Sequence, residues 1–233
     1  MRARTRAAAT LVLFGLLPLS WDPASAEGTD ALGWKTVRED AGIVVSQWTA
    51  PEQRLPRFRA VGMIPATPLE VLAVIRDVDR HTEWRDRCRE SRVLARQGDG
   101  STVLYNRNDG SWPAADRDVV LASNLTSQDD GRKIEVRFRS IESPLMPPRR
   151  GVVRMASLVG YYRLESLGSE GTRVEYQIDV DLGGRVPRFI TRYVSEQMPL
   201  NTVRGLRAQV AKTRGRYDES IREWLDTGRF GAE

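Results

Sequence analysis

The chain has little of what most catalytic sites are built from. It has one cysteine, Cys88, and one histidine, His81, in 233 residues. A lone cysteine excludes an intrachain disulfide, so an ordinary hydrophobic core has to hold the fold. Cys88 reads as a small buried residue rather than a reactive thiol. A Ser-His-Asp or Cys-His arrangement would have to use His81, and zinc sites built on His and Cys lack ligands. No G-x-S-x-G surrounds a serine. Gly98-Asp99-Gly100 and Gly183-Gly184 are turn signals and match no phosphate loop. Asp77 and Asp79 lack the spacing of a calcium loop. The expectation is therefore a non-enzyme, with no catalytic residue, metal or cofactor. Lysine is scarce too, at Lys35, Lys133 and Lys212 only. The net charge of +5 is too modest to suggest a nucleic-acid partner.

Long apolar runs are missing beyond the N-terminus. There, Arg2, Arg4 and Arg6 precede an uncharged run from Ala7 to Leu19, and Ala24-Ser25-Ala26 forms an A-x-A site. The run is shorter than the roughly 20 residues of a spanning helix, and Pro18 interrupts it. The expectation is a signal peptide over 1–26, cleaved after Ala26, and a periplasmic or secreted domain over 27–233. An uncleaved membrane anchor is the competing reading. No cysteine follows the cleavage site and the arginines are not adjacent, so lipoprotein and twin-arginine signals are unsupported.

What is present is β-rich. Hydrophobic residues make up 40% of the chain. Strands are expected at Trp34–Glu39, Ile43–Trp48 and Arg57–Ile64. Thr67, Pro68 and Glu70 then start a helix with a capping box, and Asp77 to Trp84 extends or follows it. Strands are expected next at Ser91–Ala95, Thr102–Asn106, Asp116–Leu125 and Lys133–Ile141, and at Gly151–Leu164 with a bend at Gly160. In Thr172–Leu182, Val174, Tyr176, Ile178, Val180 and Leu182 alternate with Arg173, Glu175, Gln177, Asp179 and Asp181. One covered and one wet face follow, as in an antiparallel sheet. A long helix is expected from Pro187 to Tyr217. Its apolar stripes, Ile190-Val194-Met198 and Val203-Leu206-Val210, are out of phase, and a kink at Pro199 would reconcile them. This order suggests an α+β fold with helices on one face of a bent antiparallel sheet.

Four segments in this order resemble the START family of lipid-transfer domains. They are Asp77-Val78-Asp79-Arg80-His81-Thr82-Glu83-Trp84; Trp112-Pro113 with Asp116-Arg117-Asp118-Val119-Val120; Arg150 to Met155 with Gly160-Tyr161-Tyr162; and Val174 to Pro187. The resemblance implies a helix-grip fold of the START/Bet v 1-like kind. In that fold a curved antiparallel sheet wraps around a long C-terminal helix and encloses an apolar cavity. It implies a lipid ligand such as a sterol, hopanoid or phospholipid, carried between membranes. Alternatives on the same scaffold are a polyketide cyclase or aromatase, and a non-transferring lipid sensor. Sterol-binding relatives carry an acid–base pair in the cavity; the matching places here hold Tyr105 or Leu104, and Ser123.

The candidate ligand contacts follow from this. Tyr176, Ile178 and Val180 are wall residues, and Ile190, Val194, Met198, Val203 and Leu206 roof residues; ordinary core is the competing reading for all. Arg117, Asp118 and Arg154 either orient a head group or form structural ion pairs. Tyr105 and Tyr162 are candidates to bond a hydroxyl. Trp112 either contacts ligand and enters the membrane interface at the cavity mouth, or packs on the final helix. Arg185 to Arg216 holds eight basic residues and one acidic residue, Glu196. Arg188 and Arg192 are its candidate contacts to anionic lipid, worth ~1 kcal/mol each near a membrane surface; a solvated face is the alternative. The expected partners are a lipid and, transiently, a membrane, with the protein monomeric.

Overall fold

The computed structural model describes residues 33–49, 56–97, 101–110, 113–184, 186 and 188–230. The expected signal peptide and Trp112 lie outside them, as does the Arg188 side chain.

The strands are β1 (Lys35–Asp40), β2 (Ile43–Trp48), β3 (Arg57–Ile64), β4 (Cys88–Arg96), β5 (Thr102–Asn108), β6 (Asp116–Gln128), β7 (Lys133–Ser140), β8 (Val152–Arg154), β9 (Ser157–Ser166) and β10 (Thr172–Asp181). They form one sheet in the order β1-β2-β3-β10-β9-β7-β6-β5-β4, with β8 alongside β6. All pairs are antiparallel except β6–β8. In β10, Val174, Tyr176, Ile178 and Val180 are buried as their alternation requires. The expected strand over Gly151–Leu164 is instead two strands, β8 and β9, and β9 runs through Gly160 without a break. Glycine is needed there for closeness. A Cβ on Gly160 would sit 2.3 Å from the Gln177 carbonyl oxygen and 2.7 Å from the Phe138 ring.

Helix α1 (Pro68–Arg76) starts with the expected capping box. The Glu70 backbone N–H donates to Thr67 Oγ1 at 3.3 Å, and the Thr67 N–H donates to Glu70 Oε2 at 2.7 Å. Thr67→Ala is expected to cost ~1 kcal/mol, read as a lower urea midpoint at unchanged m-value.

A 3₁₀ turn follows at Val78–Glu83. It is tied to the C-terminal helices through its acids. Tyr217 Oη donates to Asp77 at 2.7 Å. Gln209 Nε2 and Lys212 Nζ donate to Glu83 at 3.0 and 3.1 Å. Just after the turn, Asp86 accepts from Asn201 Nδ2 at 2.6 Å and from the Tyr193 hydroxyl. The Gln209 bond, and after it the Lys212 bond, hold the Glu83 carboxyl low, at about 2.

The C-terminal region differs from the expected kinked helix. It comprises α2 (Arg188–Arg192), a π turn (Tyr193–Gln197), α3 (Met198–Lys212) and, after a break, α4 (Asp218–Thr227). Pro199 lies in the first turn of α3, where its missing N–H costs nothing. The π turn supplies the phase correction assigned to a kink. It inserts one extra residue, about 100° of rotation. Ile190 and Val194 thereby face inward together with Val203, Leu206 and Val210, all buried in one core. Helix α3 packs on β2, β3, β10 and α1. Helix α4, not foreseen in the sequence, packs on α1 and buries Trp224.

Candidate functional site

Two cavities lie inside the curve of the sheet, on either side of Arg85–Arg87. The first, of about 40 Å³, lies between α1 with its 3₁₀ turn and the inner side of β5, β6, β7 and β9. Leu104, Leu121, Val136 and Phe138 give it an apolar wall, and Arg76, His81, Arg85, Thr102, Ser123 and Tyr162 a polar one. The second, of about 60 Å³, lies beneath α2 and the π turn. Ile190, Val194, Met198, Met155 and Leu182 line it, with Arg117 and Asp86 at its polar side. Small-molecule sites commonly measure about 300–1,000 Å³. The fold as it stands is therefore nearly closed.

An aromatic cluster fills the neighbouring space. Tyr162 and Tyr176 stack with centroids 4.7 Å apart, and Phe138 lies 5.9 Å from Tyr162 and 6.4 Å from Tyr176. The Tyr176 hydroxyl accepts a bond from Arg85. Burial pushes the Tyr162 phenol far up, so it stays a neutral donor. The Tyr162 hydroxyl finds no partner among the described residues. Burial also pushes the Cys88 thiol up, which fits an inert residue.

His81 closes one side of the first cavity. It is 4% exposed, bonds the Ile75 carbonyl oxygen through Nε2 at 2.9 Å, and edges Trp84 at 5.3 Å. The nearby Arg85 Nη1 is 3.5 Å from Nδ1. Burial, then the Arg85 charge, hold its pKa down at about 3, so the ring is neutral at pH 7.

The structure sorts the sequence-derived candidates into three groups. Tyr162, Arg117, Ile190, Val194 and Met198 line a cavity. Tyr176, Ile178, Val180, Val203 and Leu206 are buried core packed beside the cavities, not part of either lining. Tyr105, Asp118 and Arg154 line neither cavity. They form a network in which Arg154 Nε and Nη2 donate to Asp118 at 2.7 and 3.2 Å and Tyr105 Oη donates at 3.1 Å. Tyr105 packs with Val120 and Met146 in a separate cluster. The cavity-lining residues of these strands are Thr102, Leu104, Leu121 and Ser123, so alternation turns Tyr105, Asp118 and Val120 to the other side. The ion-pair reading holds for Asp118 and Arg154. Arg192 is exposed and pairs with Glu196 at 3.6 Å.

Several lining residues carried no sequence signal that singled them out. Arg76 and Arg85 come from the end of α1 and the segment after it. A larger depression of about 540 Å³ on the outer side of the sheet is lined by Arg57, Arg137, Arg139, Tyr161 and Asp179. Arg57 and Asp179 already pair there at 3.0 Å.

Comparison with known proteins places this architecture. The START domain model matches residues 25–215. An uncharacterised protein of Pseudomonas aeruginosa is 28% identical over 179 residues, 77% of this chain and 87% of that protein. The phosphatidylcholine transfer protein of Rattus norvegicus is 26% identical over 166 residues, 70% of this chain and 77% of that one. Among solved structures, the STAR-related lipid transfer protein of Xanthomonas axonopodis superposes with a TM-score of 0.69 at 27% identity, covering 77% of this chain and 99% of that one. Human StAR-related lipid transfer protein 5 gives 0.68 at 22% identity, covering 78% of this chain and 88% of that one. That domain match spans well over half of the sequence: the chain belongs to the START domain family.

Proposed function

We propose that this protein binds one lipid between the sheet and the C-terminal helices and carries it between membranes outside the cytoplasm. The observation that carries the reading is the pair of cavities, largely apolar, with an unpartnered phenol beside one of them. Relatives described as lipid transfer proteins support it. The N-terminal arginines, apolar run and A-x-A site support export.

The small volumes define the mechanism this requires. A tail leaving a bilayer gains little from an apolar cavity, because it is already out of water. Exchange then needs an open form docked on the membrane, with α2 and the π turn lifted from the second cavity. Phe189 is 49% exposed on α2, and Arg192 follows three residues later, on the same side of the helix. An apolar ring beside a guanidinium suits an anionic bilayer surface. No observation favours the cyclase reading: among the described residues no carboxylate lines the first cavity, and His81 is held neutral.

Native mass spectrometry of protein purified from its own host tests the reading. One co-purifying lipid per chain is the expected result. Protein that is empty, and that takes up no lipid from liposomes, would overturn it.

A further inference from the structure

We propose that the first cavity is the head-group site for a lipid acid, with the Arg85 guanidinium as counter-ion to a carboxylate or phosphate. This rests on the lipid-binding reading and sharpens it from any apolar ligand to an anionic one.

Arg154 meets Asp118, which is 1% exposed, through two bonds. A guanidinium taken out of water is costly unless a charge of opposite sign meets it. Arg85 is different. Its Nη1 donates to Asn106 Oδ1 at 2.8 Å, and another bond goes to the Tyr176 hydroxyl. His81 Nδ1 is 3.5 Å away, on a ring that stays neutral. Every one of these partners is uncharged. No carboxylate among the described residues comes within ion-pair distance of Arg85, which lines the cavity. A guanidinium has five N–H donors in a fork that matches a carboxylate or phosphate edge.

A second observation is independent of the charge. The Tyr162 hydroxyl belongs to the same wall, its residue is 4% exposed, and it has no hydrogen-bond partner. Leaving a buried hydroxyl unmade costs stability. Its phenol is held neutral by burial, so it is available as a donor to an anion. Arg76 lines the same cavity and donates to Thr102 Oγ1 at 3.0 Å. The wall therefore carries two guanidiniums, an unused donor and no described carboxylate. A zwitterion or a sterol hydroxyl leaves the Arg85 charge uncompensated; a single oxyanion neutralises it and uses the phenol. A carboxylate group fits the closed cavity, and the chain behind it occupies the space opened toward the second.

Three ligands with one tail separate the possibilities: oleic acid, oleyl phosphate and oleyl alcohol, titrated by calorimetry into lipid-stripped protein. The wild type is expected to bind at least one of the acids about tenfold or more tighter than the alcohol. The acid with the larger preference identifies the head group. Arg85→Gln is expected to erase the preference of the acids over the alcohol, and Arg85→Lys to keep part of it. Tyr162→Phe removes only an unsatisfied hydroxyl, should fold at least as stably, and is expected to weaken acid binding several-fold; it serves as the test if Arg85→Gln does not fold. Equal binding of alcohol and acids by the wild type, or a preference that survives both Arg85→Gln and Tyr162→Phe, overturns this proposal and leaves the lipid-binding reading standing. Failure of the wild type to bind any of the three overturns both.

Discussion

Acidification from pH 7 to pH 4.5 is expected to destabilise the protein by roughly 2–3 kcal/mol through His81 alone, and His81→Gln is expected to abolish that part of the loss. In the unfolded chain this imidazole titrates near its usual 6.5, whereas in the fold burial and the Arg85 charge hold it at about 3. Between those values the unfolded chain binds the extra proton and the folded one does not. Stability therefore rises with pH across this window and falls as pH drops through it, by about 1.4 kcal/mol per unit once well below 6.5. The full contribution is present above 6.5. Glutamine keeps a donor for the Ile75 carbonyl oxygen, now met by His81 Nε2, and does not titrate. Urea midpoints for both proteins at pH 7, 6, 5 and 4.5 check this. Parallel pH profiles would mean that the ring protonates inside the fold. Glu83, held at about 2 mainly by its Gln209 bond, acts in a lower window. Its contribution is present above about 4.5 and is lost as pH falls toward 2.

Gly205→Ala is expected to destabilise the protein despite improving the helix. In α3, replacing glycine by alanine would ordinarily gain up to about 1 kcal/mol from helix propensity. The Cβ at this position would lie 2.1 Å from the carbonyl oxygen of Trp84 and 3.1 Å from its carbon. That neighbour is main chain at the end of the 3₁₀ turn, so it cannot rotate aside. Either α3 lifts or the turn shifts, and overpacking of this kind costs typically 1–3 kcal/mol. The clash wins by a net ~1–2 kcal/mol. A lower thermal midpoint with unchanged far-ultraviolet helix signal is the expected observation. A variant as stable as the wild type would show that the helix is not seated on that carbonyl.

The sequence made the regular elements legible because one-sided burial leaves a clean imprint. In β10 the inward residues alternate without exception, and the Thr67 capping box marks the start of α1 to the residue. Where both sides of a strand are covered, the imprint disappears. Residues 117 to 121 of β6 are all buried, so nothing in the pattern says that Leu121 faces the cavity and Asp118 its opposite. This is why Tyr105, Asp118 and Arg154 read as ligand contacts, although they line neither cavity and bond to one another on the opposite side of the strands. Arg85 was hidden for another reason. It follows a 3₁₀ turn, where no repeat assigns a face, and arginine is usually exposed. The phase break between Ile190-Val194 and Val203-Leu206 was visible, but its cause was not. A proline can sit harmlessly in a first helical turn, and the π turn beside it has no composition of its own.

The bonds from Asp77, Glu83 and Asp86 to the terminal helices have a thermodynamic consequence for uptake. They favour the shut form, whose hollows are too small for a tail. If lipid enters through the open form proposed above, the measured affinity is the intrinsic one multiplied by the fraction of molecules that are open. Stability and uptake are thus set in opposition by the same few carboxylates. Conditions that slacken these bonds would then speed loading while weakening the empty protein.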